Sequence, residues 1–372
     1  MAGFDEIRFA LEAASGGKNT IILDDAGMPS VMVRIPMFYW SDVIEGGEDA
    51  PCSAFVVNGK VHDCIYISKY LNVIENGRAY SLPGRDPAHT LTIDDARAAC
   101  AAKGRGWHLM TNAEWTAIAH WCVRNNTVPH GNSAFGKYHA APHERGVLVG
   151  DNRGEKNRNE MRTLTGSGPA SWNHDHTDYG IADLNGNVWE FVAGVRVVDG
   201  EIQVIPDNDS ALNVDESCGS VLWRAIDAAG NLVAPGSAGS MKLDGVKSGI
   251  SGPEDVAVGD GFKLSTEVRN PNYTGGEEDI SHRAYGWMPF FDLSAEVGLE
   301  PSMCLQQLGL YPRQDGYRDG GYLFLRNYGE RVVARGGSWF DGAIGGIWDV
   351  YIRESRAFIY PDIGFRSAYI EL

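Results

Sequence analysis

Short apolar runs, broken by glycine and polar turns, dominate the chain, and few segments hold a helical period. Ile21-Ile22-Leu23, Val31-Met32-Val33-Arg34-Ile35 and Phe55-Val56-Val57 are β-rich runs. Asp25-Ala26-Gly27 and Asn58-Gly59 mark turns, the second of the hairpin type. Residues 1 to about 65 therefore read as strands and turns. Two segments switch to a period near 3.6. One begins near Thr92 with Asp95 in its first turn, runs through Ala96, Ala99 and Cys100, and stops at Gly104. The other begins at Thr111, with Glu114 three residues on as a capping box. Its Trp115, Ile118, Ala119 and Cys122 recur at i, i+3, i+4 and i+7, which predicts a buried stripe.

Residues 125 to 180 are rich in Asn, Gly, Pro and His and predict long loops. Ile181 to Phe191 reads as a compact loop and strand, and Val195 to Val204 as a hairpin turning at Asp199-Gly200. Residues about 206–285 are rich in Gly, Ser and Asp with weak periodicity, and read as an insertion. Within it, Glu277-Glu278-Asp279 is a solvated charge run. No internal repeat is present.

The last forty residues break the pattern. Trp348, Val350 and Ile352 alternate as one face of a strand, and Asp349, Tyr351 and Arg353 form the other. An acid, a phenol and a guanidinium on one face differ from the Lys, Glu, Thr and Ser of an ordinary solvated face. The loop positions nearby are just as mixed: Phe340, Asp341, Ile344, Glu354, Phe358, Tyr360 and Asp362. Exposed aromatics beside acids and an Arg have the composition of a recognition surface.

Composition narrows the classes. The chain has 372 residues, 43% hydrophobic and 10% aromatic, which suffices for one large domain with insertions or for two. Its 46 glycines fit hairpins and structured loops. A net charge of −17 argues against nucleic-acid binding and against docking on an anionic membrane. Residues 1–16 lack a basic segment followed by an apolar one, so no signal peptide is expected, and no run of about 18 apolar residues predicts membrane insertion. The six cysteines are scattered without a CxxC pair, and are expected as free thiols. His174-Asp175-His176 is read as loop packing rather than a transition-metal site.

Three stretches in order resemble one family. Trp107-His108-Leu109-Met110-Thr111-Asn112-Ala113-Glu114-Trp115 is similar to the helix-opening motif of the formylglycine-generating-enzyme type of C-type lectin fold. Gly180 to Phe191, with Asp183-Leu184-Asn185-Gly186-Asn187-Val188-Trp189-Glu190 inside it, resembles that fold's Gly-Asn-Val-Trp-Glu signature. Arg335-Gly336-Gly337-Ser338-Trp339 through Gly364-Phe365-Arg366 resembles its C-terminal strands. The resemblance implies an α+β, β-rich lectin-type domain over 61–372, with two main helices, long loops and an insertion at about 206–285. It leaves residues 1–60 as an N-terminal β-rich attachment region.

Fold alone does not choose the activity. The family's oxidases carry two cysteines on the strand before the closing Gly-Phe-Arg, where this chain has Trp348 and Arg353. Neither can supply a thiolate or a copper ligand. The chain more closely resembles the variable proteins of diversity-generating retroelements of gut phages and prophages, in which exposed positions of the C-terminal repeat, about 335–366 here, are rewritten. By that resemblance the ligand-binding positions are Ser338, Phe340, Asp341, Ala343, Ile344, Asp349, Tyr351, Arg353, Glu354, Phe358, Tyr360 and Asp362. Glu354 departs from the pattern, because an Asn codon changed at its two leading adenines cannot encode Glu. Asp183, Gly186, Val188 and Glu190 fall at calcium-ligand positions of the oxidase branch, so a structural calcium is the one cofactor implied and none is required for activity. The expectation is a receptor-binding display protein, not an enzyme, that contacts a protein or glycan on a target cell. It would sit on a phage tail or a cell surface after cytoplasmic synthesis, with a homo-oligomer left open. An oxidase and a non-varying structural tail module are the alternatives.

Overall fold

The computed structural model describes residues 3–150, 161–245, 248–250, 256–258, 261–268, 284–318 and 320–372. The acidic run Glu277-Glu278-Asp279 lies outside them. The fold is α+β, with two main sheets, two small two-stranded ones and two principal helices among the described residues.

The two helices start where local chemistry places them. The first, Ile93–Ala101, is capped by Thr92, whose side chain accepts from the Asp95 N–H while Asp95 returns the bond. The second, Asn112–Arg124, is capped by Thr111 and Glu114 in the same reciprocal way. Its Trp115, Ile118, Ala119 and Cys122 are all buried, as the periodicity requires.

The smaller sheet has five strands, in the order β1 (Asn19–Leu23), β2 (Pro29–Pro36), β3 (Cys64–Ser68), then the C-terminal strand Ser367–Tyr369, then β4 (Trp107–Leu109). Two of the strands expected in the first sixty residues are thus paired into this sheet, while Val56–Val57 forms its own hairpin with Lys60–Val61, and β2 runs antiparallel to β3 over five residue pairs. Periodicity did not reveal the helix Phe4–Ser15 ahead of them, nor the short one at Trp40–Val43.

The larger sheet is built on β5 (Trp189–Val198) and β6 (Glu201–Val204), a hairpin that turns at Asp199-Gly200, both with positive φ. The region read as an insertion extends this sheet through Lys242–Gly245 and Phe262–Ser265. On the other side β5 pairs with β7 (Glu330–Arg335), which pairs with β8 (Val350–Ile352). Next come Tyr322–Arg326, parallel to β8, and Tyr285–Pro289, antiparallel to that. The strand Ile363–Phe365 lies parallel to β5, and the chain then crosses into the smaller sheet at Arg366.

One face of this sheet, with Val333, Leu323, Leu325, Trp348, Val350 and Ile352, joins the main core under the Asn112–Arg124 helix. The opposite face is divided. Its Phe191, Ala334 and Phe365 are covered by the Ile93–Ala101 helix, while Tyr351, Ile344 and Phe358 pack at the border of that cluster, only partly buried.

Candidate binding surface

The two ends of the C-terminal segment are pinned by buried arginines. Arg366 is fully buried and gives Nε and Nη2 to the two oxygens of Glu190, at 2.7 and 2.8 Å. Its remaining donors reach the carbonyls of Ser68 and Ala182, both at 2.9 Å. One side chain therefore ties the 182–190 loop to the smaller sheet. Arg335 is equally buried and donates to Asn112 Oδ1 at 2.7 and 3.1 Å, and to the carbonyls of Leu308 and Gly309. Burial pulls its guanidinium down to about 9.

The glycines of the frame are equally constrained. A Cβ on Gly336, where φ is +92°, would lie 2.9 Å from the Leu184 carbonyl. One on Gly364 would lie 2.5 Å from the Ala88 carbonyl. Neither site admits a larger residue without backbone movement.

Between these anchors the side chains turn outward. Phe340 and Tyr360 are 44% and 47% exposed, and Ala343 is exposed as well. Ile344, Tyr351, Arg353, Glu354 and Phe358 are half-buried. The rings of Phe358 and Tyr360 stack with centroids 5.8 Å apart, and Tyr351 packs on Trp189 at 4.8 Å. The Tyr351 hydroxyl donates to Glu354 Oε1 at 3.2 Å, and the Arg353 guanidinium lies 4.2 Å from the Tyr285 ring centroid. This is a patch of fixed aromatics edged by polar groups, capable of contact and hydrogen bonding.

Four expected contact residues point elsewhere. Ser338 and Asp349 are completely buried and Asp362 is 5% exposed. Asp349 accepts from the Tyr322 N–H at 2.6 Å and the Gly346 N–H at 2.9 Å, so its carboxyl closes the turn that leads into β8. The partly buried Asp341 directs Oδ2 back to the Ser338 N–H at 2.6 Å and hydroxyl at 3.0 Å. Strand alternation fails at position 349 because β8 begins only at Val350, and the turn before it obeys its own hydrogen bonds. Burial pushes the Asp341 carboxyl up to about 6 and that of Asp362 to about 7, with a further rise at Asp362 from the neighbouring Asp341 charge.

The surface also has members that the sequence reading missed. In register across the sheet, Trp287 faces Phe324, which faces Tyr351, which faces Ala334. Opposed residues project to the same face, so the exposed Trp287 continues the aromatic row beyond the C-terminal segment. Alternation in Tyr285-Gly286-Trp287 and Tyr322-Leu323-Phe324 carried that signal, but only the strand register joins it to Tyr351.

The calcium expectation is met only in part by the residues. Both Glu190 oxygens are held by Arg366, whose charge already balances that carboxylate, while Asp183 Oδ2 accepts the Gly166 N–H at 2.8 Å and its Oδ1 is buried with no partner. Asp183, Gly186, Val188 and Glu190 therefore offer one open carboxylate oxygen rather than a free carboxylate pair. Among the described residues, no three His, Cys, Asp or Glu side chains converge as a metal site.

Residues 55–212 match the family model of the sulfatase-modifying factor enzyme 1-like domain, a span that includes the 107–115 and 180–191 motifs. No curated protein matches the chain. Among solved structures, Treponema denticola variable protein 1 is similar at 12% sequence identity and a TM-score of 0.33, covering 94% of this chain and 98% of that one. The fold is accordingly α+β of the C-type lectin type, and residues 55–212 are the part similar to the sulfatase-modifying factor enzymes.

Proposed function

We propose that this chain is a ligand-binding display protein. The outward residues Phe340, Ala343, Ile344, Tyr351, Arg353, Glu354, Phe358 and Tyr360 form its contact surface. The observation that carries the reading is the contrast within one short segment: Arg335 and Arg366 are buried and fully engaged, while the residues between them present aromatic, acidic and basic groups to solvent. Tyr and Phe give large contact area at low rotamer cost, and outward substitutions leave the core intact.

The partner is a protein or glycan receptor on a target cell, with no nucleic acid involved. The chain sits on a phage tail or a cell surface, and a retroelement diversifies the outward codons. A homo-oligomer would multiply the contacts. Among the described residues no helix is long and apolar enough to cross a membrane.

An enzymatic reading draws on the same family model but finds no activated thiol among four of the cysteines. Burial pushes the thiols of Cys52, Cys100 and Cys122 far up, and that of Cys304 to about 11, so none of these four is a thiolate at neutral pH.

The test is a cell-binding assay with fluorescently labelled full-length protein on a panel of gut bacterial strains. The display reading expects labelling of particular strains, lost in the variant F340S/F358S/Y360S while its melting temperature stays close to that of the parent. Equal labelling by parent and variant would overturn it.

A further inference from the structure

Beneath the turn at Gly342–Ile344 lies a group of side-chain oxygens to which, among the described residues, no Lys or Arg side chain donates a hydrogen bond. Asp341 and Asp349 both lie against Gly337. A Cβ built on that glycine would stand 2.8 Å from Asp349 Oδ2 and 3.5 Å from Asp341 Oδ2. A Cβ built on Gly345 would stand 3.3 Å from Asp341 Cβ and 3.9 Å from Asn185 Oδ1. The two glycines approach each other closely, since Gly345 Cα is 3.0 Å from the position such a Cβ on Gly337 would take. Three side-chain oxygens from two separate loops thus surround the same pair of glycines.

Asn185 supplies the independent observation. It is 4% exposed, and its amide nitrogen donates to the Pro129 carbonyl at 2.9 Å. Its Oδ1 is buried with no hydrogen-bond partner. A buried amide oxygen left without a donor pays its full desolvation cost, so it calls for an occupant. The buried Arg335, whose charge acts on Asp349, spends its donors on Asn112 and on main-chain carbonyls, including that of Asp349, rather than on either carboxyl group. Burial and then the neighbouring Asp341 charge hold the Asp349 carboxyl well above the usual range, against the opposing pull of two main-chain N–H groups and of Arg335.

We propose that Asp341, Asp349 and Asn185 bind a hard divalent cation of the calcium or magnesium class beneath the contact surface. Two carboxylates and an amide oxygen suit such an ion, and the absence of sulfur and imidazole donors disfavours softer metals. Main-chain oxygens and water complete the shell. The ion ties the loop carrying Phe340, Ala343 and Ile344 to the loop before β5, and so fixes the outward side chains from below. The proposal does not depend on what the surface binds.

The experiment uses full-length protein stripped with EDTA and titrated with Tb3+, excited through the tryptophans, followed by competition with Ca2+ and with Mg2+. The expected result is saturable emission, displaced by one of the two ions, with a melting temperature raised by that ion. D349N and N185A should each weaken Tb3+ binding at least tenfold, while D183N binds like the parent. N185D adds a charged donor and should tighten binding, which keeps the test decisive if D349N does not fold. Absence of saturable emission overturns the proposal. So does loss in D183N with N185A unchanged, and so does an N185D affinity equal to that of the parent.

Discussion

Replacing Arg366 by Met tests the division between frame and surface. The substitution keeps most of the side-chain volume and removes five hydrogen bonds, two to Glu190 and one each to the Ser68, Lys69 and Ala182 carbonyls. It leaves the Glu190 carboxylate buried without its partner, and removing one partner of a buried ion pair costs about 3–5 kcal/mol. The carbonyls that lose a donor add to this, so a loss of about 5 kcal/mol is expected, comparable to the whole stability of a marginal domain. Tyr360→Ser, at a site 47% exposed, should cost no more than about 0.5 kcal/mol. Equilibrium unfolding in urea at neutral pH, followed by circular dichroism, measures both. Combining R366M with Glu190→Gln should recover part of the loss, because the two charges are coupled. A cost below about 1 kcal/mol for R366M, or strict additivity in the double variant, would refute the assignment of Arg366 as the staple between the two sheets.

Other outcomes follow from the buried acids and thiols. Asp362 has a folded-state carboxyl near 7 against an ordinary value of 3.8. A raised carboxyl contributes stability that is complete below the unfolded value and is lost as pH rises through the folded one. In EDTA, the parent should therefore lose stability relative to D362N between pH 4 and 8, by up to about 4 kcal/mol from a shift of roughly three units; parallel melting curves for the two proteins would contradict this. Native protein treated with a thiol reagent should react fastest at the exposed Cys218, while the buried Cys52, Cys100 and Cys122 react only on unfolding. Mass mapping of the labelled peptides reads this directly.

What was legible in the chain followed from how far each interaction reaches. Thr111 and Glu114 are three residues apart, so their capping box and the helix it starts could be read from the chain. Asn58-Gly59 likewise announced its hairpin, with both residues at positive φ. Arg366 and Glu190 lie 176 positions apart, and only the crossing from one sheet to the other brings them together. The same limit hid Trp287, whose link to Tyr351 passes through Phe324 on an intervening strand. Asp349 was misplaced for a local reason, since period-2 alternation was extended one residue past the start of a three-residue strand. The helix Phe4–Ser15 was missed because Gly3 rather than a Ser or Thr caps it, and because most of its apolar residues face solvent and form no buried stripe.

The central claim is that a fixed frame carries interchangeable contacts, and sequencing the genome around the coding segment for residues 335–366 tests it most directly. The account predicts a near-copy of that segment close downstream, beside a reverse transcriptase gene and differing from it mainly at adenines. The differences should fall in the codons of Phe340, Ile344, Tyr351, Arg353, Phe358 and Tyr360, with Arg335, Gly336, Trp339, Asp349, Gly364 and Arg366 unchanged. The absence of such a copy, or differences spread evenly over frame and outward codons, would contradict it.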